Sequence, residues 1–436
     1  MKIAVIGSGI SGNAAALSLS HDHQVTVYEK RERLGGHSAT VEVEHNNRLI
    51  PVDTGFIVYN EANYPLMTAM FDYLQVKTKK SNMSFSVSLD KGSLEWCGTS
   101  LKGVFAQRRN IFSLPFLFML REIFRFNKKA AEDFENGKLS DMSLETYLDY
   151  AGFSERFRNN YLIPMTSAIW STPSRKMLDF PAESLLGFMK NHSLIQKQRP
   201  QWRTVDGGSR EYVKLLRANT DAEYRLGAEV LSIVRTNGGV LVEDSRGDKI
   251  IYDEVVLACH SDQAFSMIKD KTLEEASILG DVEYTPNDVW LHSDPKLMPR
   301  KRDAWAAWSY MGTRSSCDER DVAVTYWMNS LQGIPDEHPM FVTLNPFEEP
   351  DPSLVHGRYQ YSHPLFDKKA IAAQNRLPQI QGKNNLWFCG AWCGYGFHED
   401  GLKSGLEVAE QLGSTIPWLR DDAVAKTNML IADAAE

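Results

Sequence analysis

The sequence predicts an α/β fold, a parallel sheet flanked by helices, with a second, α+β region inserted into it. Three observations predict it. In "KIAVIGSGISG" the β-branched run Lys2–Ile6 leads into glycines and then into an alanine- and leucine-rich helix over 11–20, with a second strand at Gln24–Glu29. A continuous apolar run at 255–258 closes a glycine-punctuated meander, the pattern of another buried strand. Near the C-terminus the layout recurs: a short strand at 386–389, the glycine-rich turn "GAWCGYGFHEDG", and a helix carrying Leu402, Leu406 and Val408.

The first element carries the most chemistry. Gly7, Gly9 and Gly12 make G-x-G-x-x-G between a strand and a helix. Gly7 permits the tight turn, Gly9 lets backbone approach a pyrophosphate, and Gly12 lets helix and strand touch. The helix N-terminus, beginning near Ser11, stabilises phosphate charge with its free N–H groups and dipole. Glu29 follows Gly9 by twenty residues, where a carboxylate accepts ribose hydroxyls, and Lys30 stands beside it. A dinucleotide site follows, although this motif alone does not separate NAD from FAD.

Bulk properties bound the rest. A chain of 436 residues is too long for one simple core, so two domains are expected. An apolar fraction of 43% and a charged fraction of 24% are those of an ordinary globular protein. The net charge of −8, with acids spread along the chain, gives no sign of nucleic-acid binding. Cys97, Cys259, Cys317, Cys389 and Cys393 are scattered and odd in number, which fits a reducing compartment. Cys389 and Cys393 have no companion pair to complete a metal site, so none is expected. The N-terminus has no signal-peptide layout and no apolar run reaches the roughly 18 residues that span a bilayer, so a cytoplasmic location is expected.

Glu29, Arg33 and the pair Gly35-Gly36 extend the glycine motif into a pattern that resembles the flavin-dependent amine oxidase superfamily. The resemblance implies FAD as cofactor and a monoamine oxidase or glutathione-reductase-type fold, a discontinuous Rossmann-like FAD-binding domain plus an α+β substrate domain. It places Arg33, Gly35 and Gly36 along the diphosphate and ribityl chain. His37 stands where the superfamily has arginine, as a cofactor contact or a packing residue. Asp53 and Gly55 fall in the segment that passes under the flavin, and Val230 in the strand that lines the adenine. Gly390, Ala391, Trp392, Phe397, Gly401 and Leu402 fall in the C-terminal signature that holds the ring, with helix N–H groups around 400–402 aimed at its electron-poor edge. The acid usual shortly after F-x-G is absent, since Ala391 and Trp392 stand there, which tells against an ordinary amine oxidase. The implied boundaries are 1–79, 201–285 and 384–436 for the FAD-binding domain, and 80–200 and 286–383 for the substrate domain.

In the substrate domain, "YLIPMTSAIWSTP", "WAAWSYMG" and "VTYWMNSLQ" are dense in large apolar side chains. Tyr59, Ile169, Trp308, Tyr310, Trp327 and Tyr395 are candidate substrate-lining residues, with Tyr326 beside them, against the alternative that most are plain core. The apolar run at 111–120 is flanked by Arg108, Arg109, Arg121, Arg125, Lys128 and Lys129. Segment 108–129 is either a membrane-facing surface or a helix pair capping the substrate cavity.

"GGHSAT", "VDTGFIVYN", "MSFSVS", "YWMNSLQ" and "GAWCGYGFHEDGLKSG" together resemble a bacterial amine-oxidase-like flavoprotein family. That family is related to the N-terminal half of plant cyclopropane fatty acid synthases and includes a desaturase of methyl-branched acyl chains on the route to furan fatty acids. The resemblance implies an FAD-dependent oxidoreductase that desaturates a fatty acyl chain of a membrane lipid, by hydride transfer to flavin N5. It also implies a functional partner in an acyl methyltransferase, and the membrane-facing reading of 108–129 puts the protein at the inner face of the membrane. His398, in the ring-facing loop, is the first candidate for the base, with His292 and Glu399 behind it. An amine or amino-acid oxidase and a non-catalytic flavin-binding subunit remain open readings.

Overall fold

The computed structural model describes residues 1–139, 142–170, 177–191, 200–314 and 320–419; Cys317 and segment 420–436 lie outside them. Strand β1 (Lys2–Ile6) is buried on both faces, with Ile3, Ala4 and Val5 fully inaccessible. It forms the centre of a five-stranded sheet in the order Glu223–Leu226, β2 (Gln24–Glu29), β1, Glu254–Leu257, Leu386–Phe388, with every pairing parallel. The sheet therefore collects strands from the start, middle and end of the chain. The strand at Glu223–Leu226 does not open the antiparallel meander that follows it. It pairs instead with β2 at the sheet edge, and the meander is the three-stranded Val230–Thr236, Gly239–Asp244 and Lys249–Tyr252.

Helix α1 (Ile10–Leu19) is buried along its whole length, between the sheet and the C-terminal helix His398–Gln411. Two glycines make that layering geometrically allowed. A Cβ on Gly12 would sit 2.0 Å from the Gly7 carbonyl oxygen, and one on Gly405 would sit 2.2 Å from that of Ser11. Either contact is far inside van der Waals range, so only hydrogen fits.

A second, seven-stranded sheet runs Val355–Pro364, Tyr284–His292, Phe341–Leu344, Arg320–Trp327, Trp308–Arg314, Phe85–Leu89, Leu94–Cys97. Its pairings are antiparallel except that of Trp308–Arg314 with Phe85–Leu89. Against one part of it packs the hairpin Thr40–His45 and Arg48–Asp53, while helix α2 (Pro65–Tyr73) packs on the C-terminal helix, and against another part packs the helical layer of the 101–191 region. That layer includes α3 (Leu101–Val104) and the long α4 (Leu114–Glu135). Phe116, Met119, Phe126 and Ala130 on one stripe of α4 share a core with Val87, Trp96, Trp308 and Tyr310 of the sheet. Arg125 pins α4 from outside: its guanidinium lies 4.1 Å from the Phe153 ring centroid and donates to the carbonyls of Ala151 and Gly152. Among the described residues no helix is long and apolar enough to cross a membrane.

Candidate active site and cofactor cradle

A cavity of about 1550 Å³ runs from the glycine turn after β1 to the inner side of α4. Its two ends differ in chemistry. Glu29, Lys30, Arg31, Glu229, Asp262 and Lys269 all line the end beside the parallel sheet. The other arm, walled by Phe85, Trp96, Leu120, Ile123, Tyr161, Met165, Ile169, Phe188, Trp308 and Tyr326, has no charged side chain among the described residues.

At the charged end, Gly7 has φ +105°, and a Cβ there would meet the Ala258 carbonyl oxygen at 2.5 Å. Gly9 differs: a Cβ there would meet nothing within 4 Å, because the residue faces the open cavity. Ser11 lines the same wall, and the first turn of α1 carries no acid and no side-chain cap. Its leading N–H groups and dipole are left for an anion. Glu29 closes β2, its Oε2 accepting from the Ser8 N–H (3.1 Å) and hydroxyl (2.6 Å) and its Oε1 from the Arg31 N–H (2.9 Å). Val230 lines the cavity opposite, with Ala228 and Leu231. These residues fit a dinucleotide laid from Gly9 toward Val230.

Gly35 and Gly36, at φ +103° and +56°, bring a second loop to the turn, so that a Cβ on Gly36 would lie 3.1 Å from the Gly9 Cα. Arg33 does not reach the cavity, contrary to the sequence expectation. Its guanidinium folds back to donate to the carbonyl of Gly36 (2.9 Å) and, at longer range, to that of Leu34, so it braces the glycine loop from behind. His37 does line the cavity. It stands among Tyr361, His363 and His260, at ring distances of 5.1, 5.9 and 6.1 Å, and burial drives its pKa well below the ordinary value. Its Nε2 is buried with no hydrogen-bond partner among the described residues. An orphaned imidazole nitrogen beside two glycine loops fits an anionic group that supplies the missing partner.

Asp53 is a second correction. It is fully buried behind the wall, accepting from Thr40, from the Ser209 N–H and hydroxyl, and from the Gln332 amide. Burial outweighs those donors and lifts its pKa to about 6. Its neighbour Gly55 does line the cavity, and a Cβ there would strike the His37 carbonyl at 2.2 Å. In the C-terminal loop Gly390, Ala391, Trp392 and Phe397 line the cavity, Trp392 donating to the Cys259 carbonyl (3.1 Å) and Phe397 stacking on Phe188 at 5.1 Å. Gly401 and Leu402 do not. A Cβ on Gly401 would press on Ile10, and Leu402 is core between Ile10 and Met67, so both hold the helix against α1. The helix begins earlier than 400, at His398, and Asp400 caps it by accepting from the Phe397 N–H.

Of the candidate bases, His398 alone lies at the cavity, next to Phe397 where the two arms meet. Its ring stacks on Phe56 at 3.8 Å, and its Nε2 is 3.0 Å from the Ser38 hydroxyl, which also bonds the Tyr212 hydroxyl. Burial pushes its pKa down to about 3, so it is neutral at physiological pH. Glu399 points away, accepting from the Leu66 and Met67 N–H groups (2.7 and 3.0 Å) and so tying the C-terminal helix to the start of α2. His292 is fully buried in the seven-stranded sheet, bonded to the Thr343 hydroxyl and the Asp294 N–H. Neither is placed for catalysis.

Of the substrate candidates, Ile169 and Trp308 line the apolar arm. Tyr59 packs on Tyr64 and Phe71 in the α2 core, and Tyr310 is fully buried in the sheet-to-helix core. Trp327 packs edge-on to Trp305 under Arg302, because strand alternation turns Tyr326 to the cavity and Trp327 away from it. Tyr395 sits behind Phe188 and Phe397, off the cavity wall. Sequence reasoning missed His260, Tyr284, Tyr361 and His363, which the seven-stranded sheet and the strand end at 257 bring to the charged end. No local motif marks them.

The family of flavin-containing amine oxidoreductases matches the chain over residues 10–297. No curated protein sequence matches it. Among solved structures, a wild-type putrescine oxidase bound to putrescine superposes with a TM-score of 0.65 at 15% identity, over 94% of this chain and 99% of that one. A fatty acid isomerase from P. acnes that produces CLA does so with a TM-score of 0.61 at 15% identity, over 94% and 98%. The cyclohexylamine oxidase of Brevibacterium oxydans gives 0.64 at 15% identity, over 94% and 99%.

Proposed function

Since the chain belongs to the flavin-containing amine oxidoreductase family and is an FAD-dependent oxidoreductase, we propose that its substrate is a long apolar acyl chain of a membrane lipid, methyl-branched and desaturated in the cavity. One observation carries this reading: the arm leading from the cofactor cradle is walled mainly by aromatic and aliphatic side chains, with neutral polar groups such as Asn127 and Ser84 among them and no charged side chain among its described residues. An ammonium or amino-acid substrate would forfeit hydration there without an ionic partner, whereas a hydrocarbon chain gains about 0.8 kcal/mol per buried CH₂. The fatty acid isomerase with the same fold supports the reading, because such a fold then accommodates an acyl chain.

Desaturation removes a hydride from one carbon and a proton from its neighbour. Bound FAD supplies the hydride acceptor. Gly7, Gly9, Ser11, Glu29, Gly36, His37 and Val230 would hold it, with Gly390 and Trp392 beside them. Phe85, Trp308, Ile169 and Phe188 exclude water and keep the acyl chain extended. His398, unprotonated at neutral pH and set where the arms meet, is the candidate acceptor for the proton. The burial that keeps it neutral also makes it a weak base.

The test is co-expression with a cyclopropane-synthase-like acyl methyltransferase, followed by mass spectrometry of membrane lipids. A methyl-branched species two hydrogens lighter should appear only with the flavoprotein, and H398Q should lower its yield at least tenfold while FAD content stays normal. Peroxide release from small amines, with lipids unchanged, would point to an amine oxidase. Flavin that stays oxidised with every lipid, in a protein that co-purifies with the methyltransferase, would point to a non-catalytic subunit.

A further inference from the structure

We propose that the outer face of α4 seats on an anionic lipid bilayer, and that the apolar arm of the cavity opens at that seat, so an acyl chain passes from bilayer to active site without crossing water. The identity of what enters rests on the acyl-chain reading above; the docking itself does not.

Helix α4 has three faces. Phe116, Met119, Phe126 and Ala130 face the core. Leu120, Ile123 and Asn127, one step around the helix, line the cavity. The third face points outward and is apolar where a solvated helix would be polar: Leu114 is 72% exposed and Phe118 63%, with Phe112 just before the helix at 87%. Ile111, Leu117 and Phe124 in the same segment are exposed as well, as is Leu101 at the start of α3, while the remaining exposed large apolar side chains are scattered elsewhere along the described chain. Clustered exposed phenylalanines on one short segment mark a surface that another apolar phase covers.

Phe124 joins this face to the cavity. It is 76% exposed and also lines the cavity beside Leu120, Ile123 and the α3 residue Val104. A side chain that is both on the surface and in the wall is a rim, so the arm ends among α3 and α4 rather than closing on itself.

Charge selects the occupant. Arg108, Arg109, Arg121 and Lys128 are exposed on the same segment, although the chain as a whole carries −8. Arg108 and Arg121 have no ion-pair partner among the described residues, and Lys128 reaches only Glu132 at 3.8 Å. Glu122, within the segment, is engaged by the Ser154 N–H and hydroxyl. Basic side chains around protruding aromatics match an anionic bilayer surface, with rings in the acyl boundary and guanidinium groups at the phosphates. A second copy of the chain fits worse, because a two-fold contact through this face would bring Arg108 and Arg121 near their own symmetry mates.

The test uses the FAD-loaded protein with vesicles of phosphatidylcholine alone or with one-third phosphatidylglycerol. Sedimentation should be strong with the anionic vesicles, weak with the neutral ones, and reduced by high salt. The R108E/R121E and F112S/F118S pairs should each weaken binding at least tenfold with the flavin spectrum and Tm unchanged. On substrate embedded in vesicles both pairs should lose turnover, while on detergent-dispersed substrate they should match the parent. Equal binding to both vesicle types, no binding to either, or a dimer that the same variants dissolve would overturn the docking. Normal anionic binding with no turnover of any acyl lipid would leave the docking standing and remove the acyl-chain reading.

Discussion

Two glycines two positions apart do different work in the cradle, and substitution separates them. Gly7 sits at φ +105° with a Cβ position 2.5 Å from the Ala258 carbonyl, so G7A disturbs the fold itself. Gly9 sits at φ −66°, which any residue adopts, and a Cβ there meets nothing within 4 Å. An alanine at position 9 is therefore expected to leave the protein folded at an unchanged apo Tm, yet to cut FAD affinity at least tenfold. Flavin fluorescence titration of the reconstituted protein reads this. Full flavin occupancy in G9A at ordinary affinity would mean the dinucleotide lies elsewhere. At this scale the sequence was legible wherever a residue's job is stereochemical: Gly7, Gly9, Gly12, Gly36 and Glu29 sit where the motif puts them. It was misleading wherever direction decides, because Arg33 and Glu399 are long enough to reach the cavity and instead turn back to cap carbonyls or N–H groups. Trp327 fails for a similar reason: composition makes it a lining candidate, and the two-residue alternation of its strand gives that place to Tyr326.

At the scale of elements, the layer made by α1 and the C-terminal helix is as tight as backbone allows. Gly405 lets the C-terminal helix lie on the carbonyl of Ser11, and the loop holding Trp392, Phe397 and His398 leads into that same helix. G405A must push the helix away from α1, with an overpacking cost of about 1–3 kcal/mol or more, since the clash is with backbone that cannot rotate aside. Thermal denaturation should show a lower Tm, and flavin content should fall with it, because Gly390 and Ser11 are displaced together. An unchanged Tm would show that the two helices are less closely coupled than their contact implies. The elements themselves were legible from periodicity: the first helix is found at Ile10–Leu19 against an expected 11–20, and strands fall at Glu254–Leu257 and Leu386–Phe388. The partnership of Glu223–Leu226 was not legible. Its residues alternate like those of the meander that follows, and only sheet assembly shows that it pairs with β2.

At the scale of the whole molecule, the two sheets share the cavity wall, and this couples cofactor to stability. The five-stranded sheet supplies Gly7, Glu29 and Gly390, while the seven-stranded sheet supplies Tyr284, Tyr361 and His363 at the same end. A dinucleotide bound there touches both, and the chain passes between the sheets repeatedly rather than once. Neither sheet can then open without releasing the cofactor, so one cooperative transition is expected, moved upward by FAD. A hundredfold excess of FAD over its Kd adds about 2.7 kcal/mol to the folded state. With an unfolding entropy of about 2.1 cal/mol/K per residue, a chain of 436 residues has roughly 0.9 kcal/mol/K at its Tm, so that excess lifts Tm by about 3 °C. Calorimetry across an FAD series reads both the number of transitions and the shift. Two transitions, of which FAD moves one, would mean that the sheets unfold independently and that the cluster of His37, His260 and His363 does not couple them through the cofactor. The histidines are the sensitive part of that outcome, since His37 and His260 belong to loops of the parallel-sheet region and His363 to the other sheet. A cofactor anion that gives the orphaned His37 nitrogen its partner would draw the two sheets together through that cluster.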